Sequence, residues 1–119
     1  MIKELIAVAA GGALGSAARY LISYSWLAGL TVGGLPAGTF TVNVVGSMLI
    51  GFLAEALNSS MAVWLLCVGF CGGFTTFSTF SLETAELIKN GSIALAVLYI
   101  VLSVSVGALF AFLPQLVIK

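Results

Sequence analysis

Charge is what this chain has least of. Only 7% of its 119 residues are charged, against about 25% in an ordinary soluble domain. So few charges cannot coat a water-facing surface, and 61% of the residues are hydrophobic, with a mean hydropathy of +1.24. An integral membrane protein follows. The net charge is zero, which removes the electrostatic basis for binding nucleic acid. Histidine is absent, and with it the commonest general base and the commonest transition-metal ligand. Only two cysteines are present, Cys67 and Cys71. Four apart on one helix face, they read as small core residues, and a metal site would want more ligands than these two. There is no Ser/His/Asp or Cys/His set, no buried carboxylate pair and no recognised phosphate loop, which argues against an enzyme.

What remains is apolar helix. A hydrocarbon core about 30 Å thick takes roughly 20 apolar residues as helix. Four segments of one all-α domain, residues 1–119, fit: about 2–27, 36–57, 61–88 and 93–113. The first follows Met1-Ile2-Lys3-Glu4 and runs longer than a signal-peptide core, so it reads as a span and not a cleaved signal. Gly33-Gly34 mark a loop over 29–35, and Pro36 suits the first turn of the second helix. In the turn Asn58-Ser59-Ser60, either serine suits a cap on the third helix. Lys89-Asn90-Gly91-Ser92 closes that helix, with Gly91 just past its end and Ser92 capping the next. Pro114 is expected to stop the fourth. Gly11 and Gly15, like Gly69 and Gly73, have the four-residue spacing that lets helix backbones approach in lipid. Gly46, Gly51 and Gly107 read the same way.

Four spans put both termini on one side of the membrane. Lys3 and Lys119 lie on that side, Lys89 lies on the other, and Arg19 is nearer the latter. Two cations against two give no preferred orientation under the positive-inside rule. The balance has two readings. Counts this small balance by chance, or both orientations are inserted and oppositely oriented copies pair about a two-fold axis in the membrane plane.

The third span is the unusual one. About 28 residues of continuous helix would measure ~42 Å, longer than the core. It contains Gly72-Gly73-Phe74-Thr75-Thr76-Phe77-Ser78-Thr79-Phe80-Ser81, with two glycines, five hydroxyls, three phenylalanines and no charge. Glycine weakens helix, and hydroxyls in hydrocarbon need partners. A helix broken near its middle, at Gly72-Gly73, and built to hold ions accounts for the mixture. Beyond the glycines, Phe77 and Phe80 share one helix face, and Thr75, Ser78 and Thr79 share its neighbour.

Other polar residues fall at membrane depth. Asn43 either glues helices together or donates its amide N–H to an anion. Tyr99 and Ser103, four apart in the fourth span, with Gly107 continuing their face, form a second hydroxyl track; alternatively Tyr99 is an interfacial belt residue. Arg19 either snorkels to the interface or completes the entrance to an anion path. Glu55, Glu83 and Glu86 lie near helix ends and read as solvated, so no intramembrane carboxylate is placed to shuttle protons. Hydroxyls, an amide and the positive edges of phenylalanine rings suit an anion. Backbone carbonyls freed at a break suit a small hard cation such as sodium.

The ten residues from Gly72 to Ser81 closely resemble the signature of the fluoride ion channel family (Fluc, also called CrcB). Gly11-Gly12-Ala13-Leu14-Gly15 with Arg19-Tyr20 looks like that family's first-helix motif, and Gly38-Thr39 with Val42-Asn43 and Gly46 like its second-helix motif. The resemblance covers essentially the whole chain; Phe74 stands where many members have leucine, and the fourth helix is the least distinctive part. The resemblance implies an antiparallel, dual-topology homodimer in the cell inner (plasma) membrane. Its two pores would pass fluoride passively outward, and a structural sodium ion would sit at its centre. Carried onto this chain, the sodium carbonyls fall on Gly72 and Thr75, the phenylalanines along the pore on Phe77 and Phe80, and the pore amide on Asn43. The hydroxyl track falls on Ser78, Thr79, Tyr99 and Ser103, and the first-helix arginine on Arg19. Two rivals remain. A small dual-topology drug or cation exporter needs an acidic residue in the middle of the first span, where this chain has only Glu4 at its end. A non-transporting membrane subunit leaves the hydroxyl-and-phenylalanine stretch without a purpose.

Overall fold

The computed structural model describes residues 1–117; Lys119, one of the cations in the orientation count, lies outside them. Four helical spans are long and apolar enough to cross a membrane: Ile2–Trp26, Ala37–Ala56, Ser60–Lys89 and Ile93–Val117. The long dimension of 47 Å exceeds a hydrocarbon core of about 30 Å. The first span is α1 (Ile2–Tyr20), continued by a π-helical segment, Leu21–Trp26. A tight hairpin follows, in which β1 (Thr31–Val32) pairs antiparallel with β2 (Leu35–Pro36). Gly33 and Gly34 turn it with φ of 61° and 88°, values that side chains avoid and that suit a two-residue hairpin turn. The second span is α2 (Ala37–Ala56), with Pro36 just outside it as the N-cap.

The third span is composite. It begins with α3 (Ser60–Ala62), capped by the Ser59 hydroxyl, which accepts from the Ala62 N–H at 3.4 Å. A π-helical segment, Val63–Cys71, leads into α4 (Gly72–Phe74). Helical geometry then lapses at Thr75 (φ −85°, ψ 159°) and Thr76 (φ −146°, ψ 119°) and resumes in α5 (Phe77–Lys89). The lapse is not at Gly72-Gly73, as the sequence predicts, because Gly72 is helical (φ −63°, ψ −38°). The physical reason lies in the neighbours. A Cβ on Gly73 would stand 2.6 Å from the Gly12 carbonyl oxygen, so this glycine serves close packing, and the extended conformation falls on β-branched threonines, which favour it.

At the far end of α5, Asn90 and Gly91 (φ 85°) close the helix. Ser92 N–H donates to the Leu87 carbonyl at 2.8 Å and Gly91 N–H to Ile88 at 3.0 Å, the paired bonds of a left-handed glycine cap. The fourth span, α6 (Ile93–Val117), does not stop at Pro114; that proline lies inside it. Proline withholds one N–H from the turn before it, a loss that neighbouring groups absorb in membrane helices.

Glycine decides how the spans meet. A Cβ on Gly11 would collide with the Leu65 carbonyl oxygen, and one on Gly15 with that of Phe70. Gly69, across the seam, lies against Val8 and Gly11, so the first and third spans touch backbone to backbone. Gly51 does the same for α2 against Ala111 of α6, and Gly46 makes room for the Thr75 side chain. Cys67 and Cys71 are buried free thiols. The share of each span's apolar window buried within the chain is only 17–33%, which leaves most of the apolar surface to lipid or to another protein surface.

Candidate functional site

The extended pair Thr75–Thr76 interrupts the helical hydrogen-bond ladder after the Thr75 N–H, which still donates to the Cys71 carbonyl at 3.0 Å, in a setting where water cannot replace the lost partners. Side chains take over. Asn43, projecting from α2, accepts from the Thr76 N–H through Oδ1 at 2.7 Å and donates from Nδ2 to the Thr76 carbonyl at 3.1 Å. The amide thus mimics a neighbouring β-strand. Of the two roles open to Asn43 in the sequence, the structure fills the first: it glues the second span to the third. The Thr76 hydroxyl accepts from the Thr79 N–H at 3.1 Å and caps α5; it also lies 3.3 Å from the Ser78 hydroxyl. Thr75 turns its own hydroxyl back to the Cys71 carbonyl at 2.9 Å. Arg19 reaches across to the third span. Its Nε–H donates to the Gly73 carbonyl at 3.1 Å, placing a cation at the C-terminal end of α4, where helix carbonyls concentrate negative potential.

Beside this pair lies a cavity of about 320 Å³ between the second, third and fourth spans. Its lining brings together Asn43, Gly72, Thr75, Phe77, Phe80 and Ser103 from the sequence prediction, and adds Ser47 and Thr76. Among the described residues no charged side chain contributes to its lining. The Ser103 hydroxyl is buried and has no hydrogen-bond partner among the described residues. Ser47 is occupied, donating to the Asn43 carbonyl at 2.7 Å. The Phe77 and Phe80 rings stand 6.0 Å apart, tilted by 46°, and Phe77 is 79% exposed. Ser78, Thr79, Tyr99 and Arg19 lie outside the cavity lining. Ser78 is exposed on α5, and Thr79 approaches the Tyr24 hydroxyl at 3.5 Å. Thr75 does not share a helix face with them, since it precedes α5 in extended conformation.

The ladder also shows which oxygens could hold a cation. In continuous helix the Gly72 carbonyl would accept from Thr76 N–H and the Thr75 carbonyl from Thr79 N–H. Those two N–H groups go instead to Asn43 and to the Thr76 hydroxyl. Carbonyls deprived of their helical donors are hard oxygen ligands, the kind that suits a small hard cation.

Sequence reasoning missed one functional group, Glu83. It is not a solvated helix-end residue. Its carboxylate accepts from the Tyr99 hydroxyl at 2.8 Å and from the Thr39 hydroxyl at 3.0 Å, and those donors are 0% and 3% exposed. Tyr99 is therefore no interfacial belt residue. One clasp joins α2, α5 and α6 at Glu83, which also lines a second cavity, of about 310 Å³, with Ser23, Tyr24, Thr39, Glu86 and Asn90. The signal was available: Glu83 follows Phe80 by three residues and so neighbours it on α5. The Phe80 ring lies 4.9 Å from that of Tyr99, so Phe80 lines the first cavity and packs on the residue that holds Glu83 at the second.

Comparison with known proteins agrees with this architecture. A family model described as "CrcB-like protein, Camphor Resistance (CrcB)" matches residues 6–114. A protein of Leptospira interrogans (serovar copenhageni) named "Fluoride-specific ion channel FluC" is 46% identical, covering 98% of this chain and 95% of its own length. Proteins of the same name from Caulobacter vibrioides and Nitrobacter winogradskyi are 48% and 49% identical, over 92% and 90% of each chain respectively. A family match over nearly the full length, together with relatives this similar, shows that the chain belongs to the CrcB-like family.

Proposed function

We propose that this protein is a fluoride-specific ion channel of the inner membrane, crossing it with four helical spans and releasing cytoplasmic fluoride down its electrochemical gradient. The observation that carries the reading is the cavity beside Thr75–Thr76, which offers amide, hydroxyl and backbone groups and aromatic edges but no charged side chain. Fluoride is small and strongly hydrated, so a path through hydrocarbon must replace its water. Neutral donors do this without a fixed charge that would trap the ion, since conduction needs binding weak enough to release. Ser103, whose hydroxyl has no protein partner, and the remaining N–H of Asn43 serve as donors in the cavity. The positive edges of Phe77 and Phe80 face the ion next. The hydroxyls of Ser78, Thr79 and Tyr99 extend the track along α5 and α6. Arg19 offsets the negative end of α4 beside the path.

The finer architecture proposed is an antiparallel, dual-topology homodimer with two pores, in which the lapse at Thr75–Thr76 works as a break in the third transmembrane helix. Balanced cations and largely uncovered apolar spans support it. The residues also fit a structural sodium ion, because the Gly72 and Thr75 carbonyls have lost their helical donors. One chain offers this pair of carbonyls, and an oppositely oriented copy would supply the same pair again. The ion, when bound, supplies a fixed positive charge that ties the two breaks together.

Glu83 weakens the sequence argument against proton coupling, since a carboxylate does sit within the bundle. The passive reading rests instead on the relatives, which are named as channels. The test is ion flux from liposomes reconstituted with purified protein. Fluoride should leave while chloride is retained, and Phe80→Ile should abolish the efflux. Equal passage of chloride, or no flux, rejects the channel; fluoride movement driven by an imposed proton gradient identifies an exchanger instead.

A further inference from the structure

We infer that Asn43 and Thr76 are positioning residues for the cation site, each diverting one N–H that would otherwise occupy a ligand carbonyl. The inference rests on the sodium reading above and goes beyond it, since neither side chain is itself a ligand in that reading.

The geometry sorts three carbonyls with three different side chains. The Gly72 carbonyl is released because Asn43 Oδ1 takes the Thr76 N–H at 2.7 Å. The Thr75 carbonyl is released because the Thr76 hydroxyl takes the Thr79 N–H at 3.1 Å. The Gly73 carbonyl is taken by Arg19 at 3.1 Å. Gly72 and Thr75 thus lose their helical donors to side chains, while the Gly73 carbonyl is filled by Arg19; the Phe74 carbonyl loses its helical donor to the lapse itself. Nothing in the backbone alone makes this selection. Removing the Thr76 hydroxyl lets the Thr79 N–H return to Thr75 and extends the start of α5 by a residue. Removing the Asn43 amide lets the Thr76 N–H return to Gly72 and extends α4. Each change closes one ligand by restoring helix.

The assay is thermal unfolding of the purified full chain, followed by fluorescence of Trp26 and Trp64, with sodium titrated against N-methylglucamine at constant ionic strength. The wild-type midpoint should rise with sodium. Thr76→Val keeps the β-branched shape and the N–H to Asn43 but lacks the hydroxyl. Asn43→Leu keeps the bulk but loses both bonds. Each should need about tenfold more sodium or greater for the same rise, the usual scale for a group that orients a metal ligand. Thr76→Ser, which retains a hydroxyl, should restore the wild-type titration. A purely structural role would lower the sodium-free midpoint and leave the sodium titration unchanged; that result overturns the inference. If Asn43→Leu does not fold, the Thr76→Val and Thr76→Ser pair decides alone. A wild-type midpoint indifferent to sodium rejects the sodium reading itself, a failure distinct from variants that respond like wild type.

Discussion

Tyr99→Phe removes a single oxygen, and the structure fixes what that oxygen does. The hydroxyl donates to Glu83 at 2.8 Å from a fully buried position. The ring's contact with Phe80, at 4.9 Å between centroids, survives the change, so packing is nearly constant. Hydrogen bonds to charged groups contribute about 1.5–3 kcal/mol. Hydrogen bonds between membrane helices average about 0.6 and reach about 1.7 kcal/mol, because the unfolded chain in the membrane also finds partners. A charged acceptor with a buried donor belongs at the top of the second range and the bottom of the first, about 1.5 kcal/mol, or roughly tenfold in the unfolding constant. Reversible unfolding in mixed micelles measures it. The same substitution in a Glu83→Ala background should cost far less, because the acceptor is gone. A cost below about 0.5 kcal/mol, or costs that add in the double mutant, would show that no bond of this strength joins α5 to α6.

Two further substitutions test the packing and the cavity. Gly15→Ala drives a Cβ into the Phe70 carbonyl oxygen and should destabilise by about 1–3 kcal/mol, whereas Gly12→Ala, whose Cβ meets only the Gly69 oxygen at 3.8 Å, should be neutral or stabilising by up to ~1 kcal/mol; equal effects in the same unfolding assay would refute the glycine seam. Ser103→Ala deletes a hydroxyl that has no protein partner, so the unfolding midpoint should hold while fluoride efflux falls about fivefold, the worth of one hydrogen bond near 1 kcal/mol; a loss of stability with unchanged flux would place the hydroxyl in packing and not on the path.

Much of the fold was legible because lipid simplifies the code. Runs of apolar residues between Gly33-Gly34, Asn58-Ser59-Ser60 and Asn90-Gly91 locate the four spans, and the GxxxG spacings of Gly11/Gly15 and Gly69/Gly73 mark close-packing faces, which the structure pairs with each other. The misreadings share a cause. Gly72-Gly73 was expected to interrupt the helix and Pro114 to end one, from the intrinsic preferences of those residues. In the structure Gly73 is committed to contact with Gly12, and a proline late in α6 removes only one bond. The π-helical segments Leu21–Trp26 and Val63–Cys71 left no mark in the composition. At the site, Asn43, Thr75, Phe77, Phe80 and Ser103 could be gathered from their chemistry, but the pairing of Glu83 with Thr39 and Tyr99 could not. That pairing joins residues 44 and 16 positions apart in sequence, and only packing of α2, α5 and α6 brings them together.

The site also explains why a chain so poor in charge spends hydroxyls and an asparagine inside the bilayer. Two residues of extended backbone would be untenable in hydrocarbon if their N–H and C=O groups went unpaired. The Thr75 N–H keeps the Cys71 carbonyl, Asn43 takes the Thr76 N–H, the Thr76 hydroxyl takes the Thr79 N–H, and Arg19 satisfies one carbonyl. Compensation is deliberately incomplete on the acceptor side, where the helical donors of Gly72 and Thr75 have been drawn away. An arrangement serving stability alone would leave the helix intact, since continuous helix satisfies every one of these groups at no side-chain cost. On the reading proposed above, the extended pair is explained by what it exposes: oxygens suited to a cation, set against a cavity whose hydroxyls, amide and ring edges suit an anion. In that reading a single backbone distortion serves assembly and permeation together, so changes that restore helix at Thr75–Thr76 should impair sodium response and fluoride flux in parallel, whereas Ser103→Ala should touch flux alone.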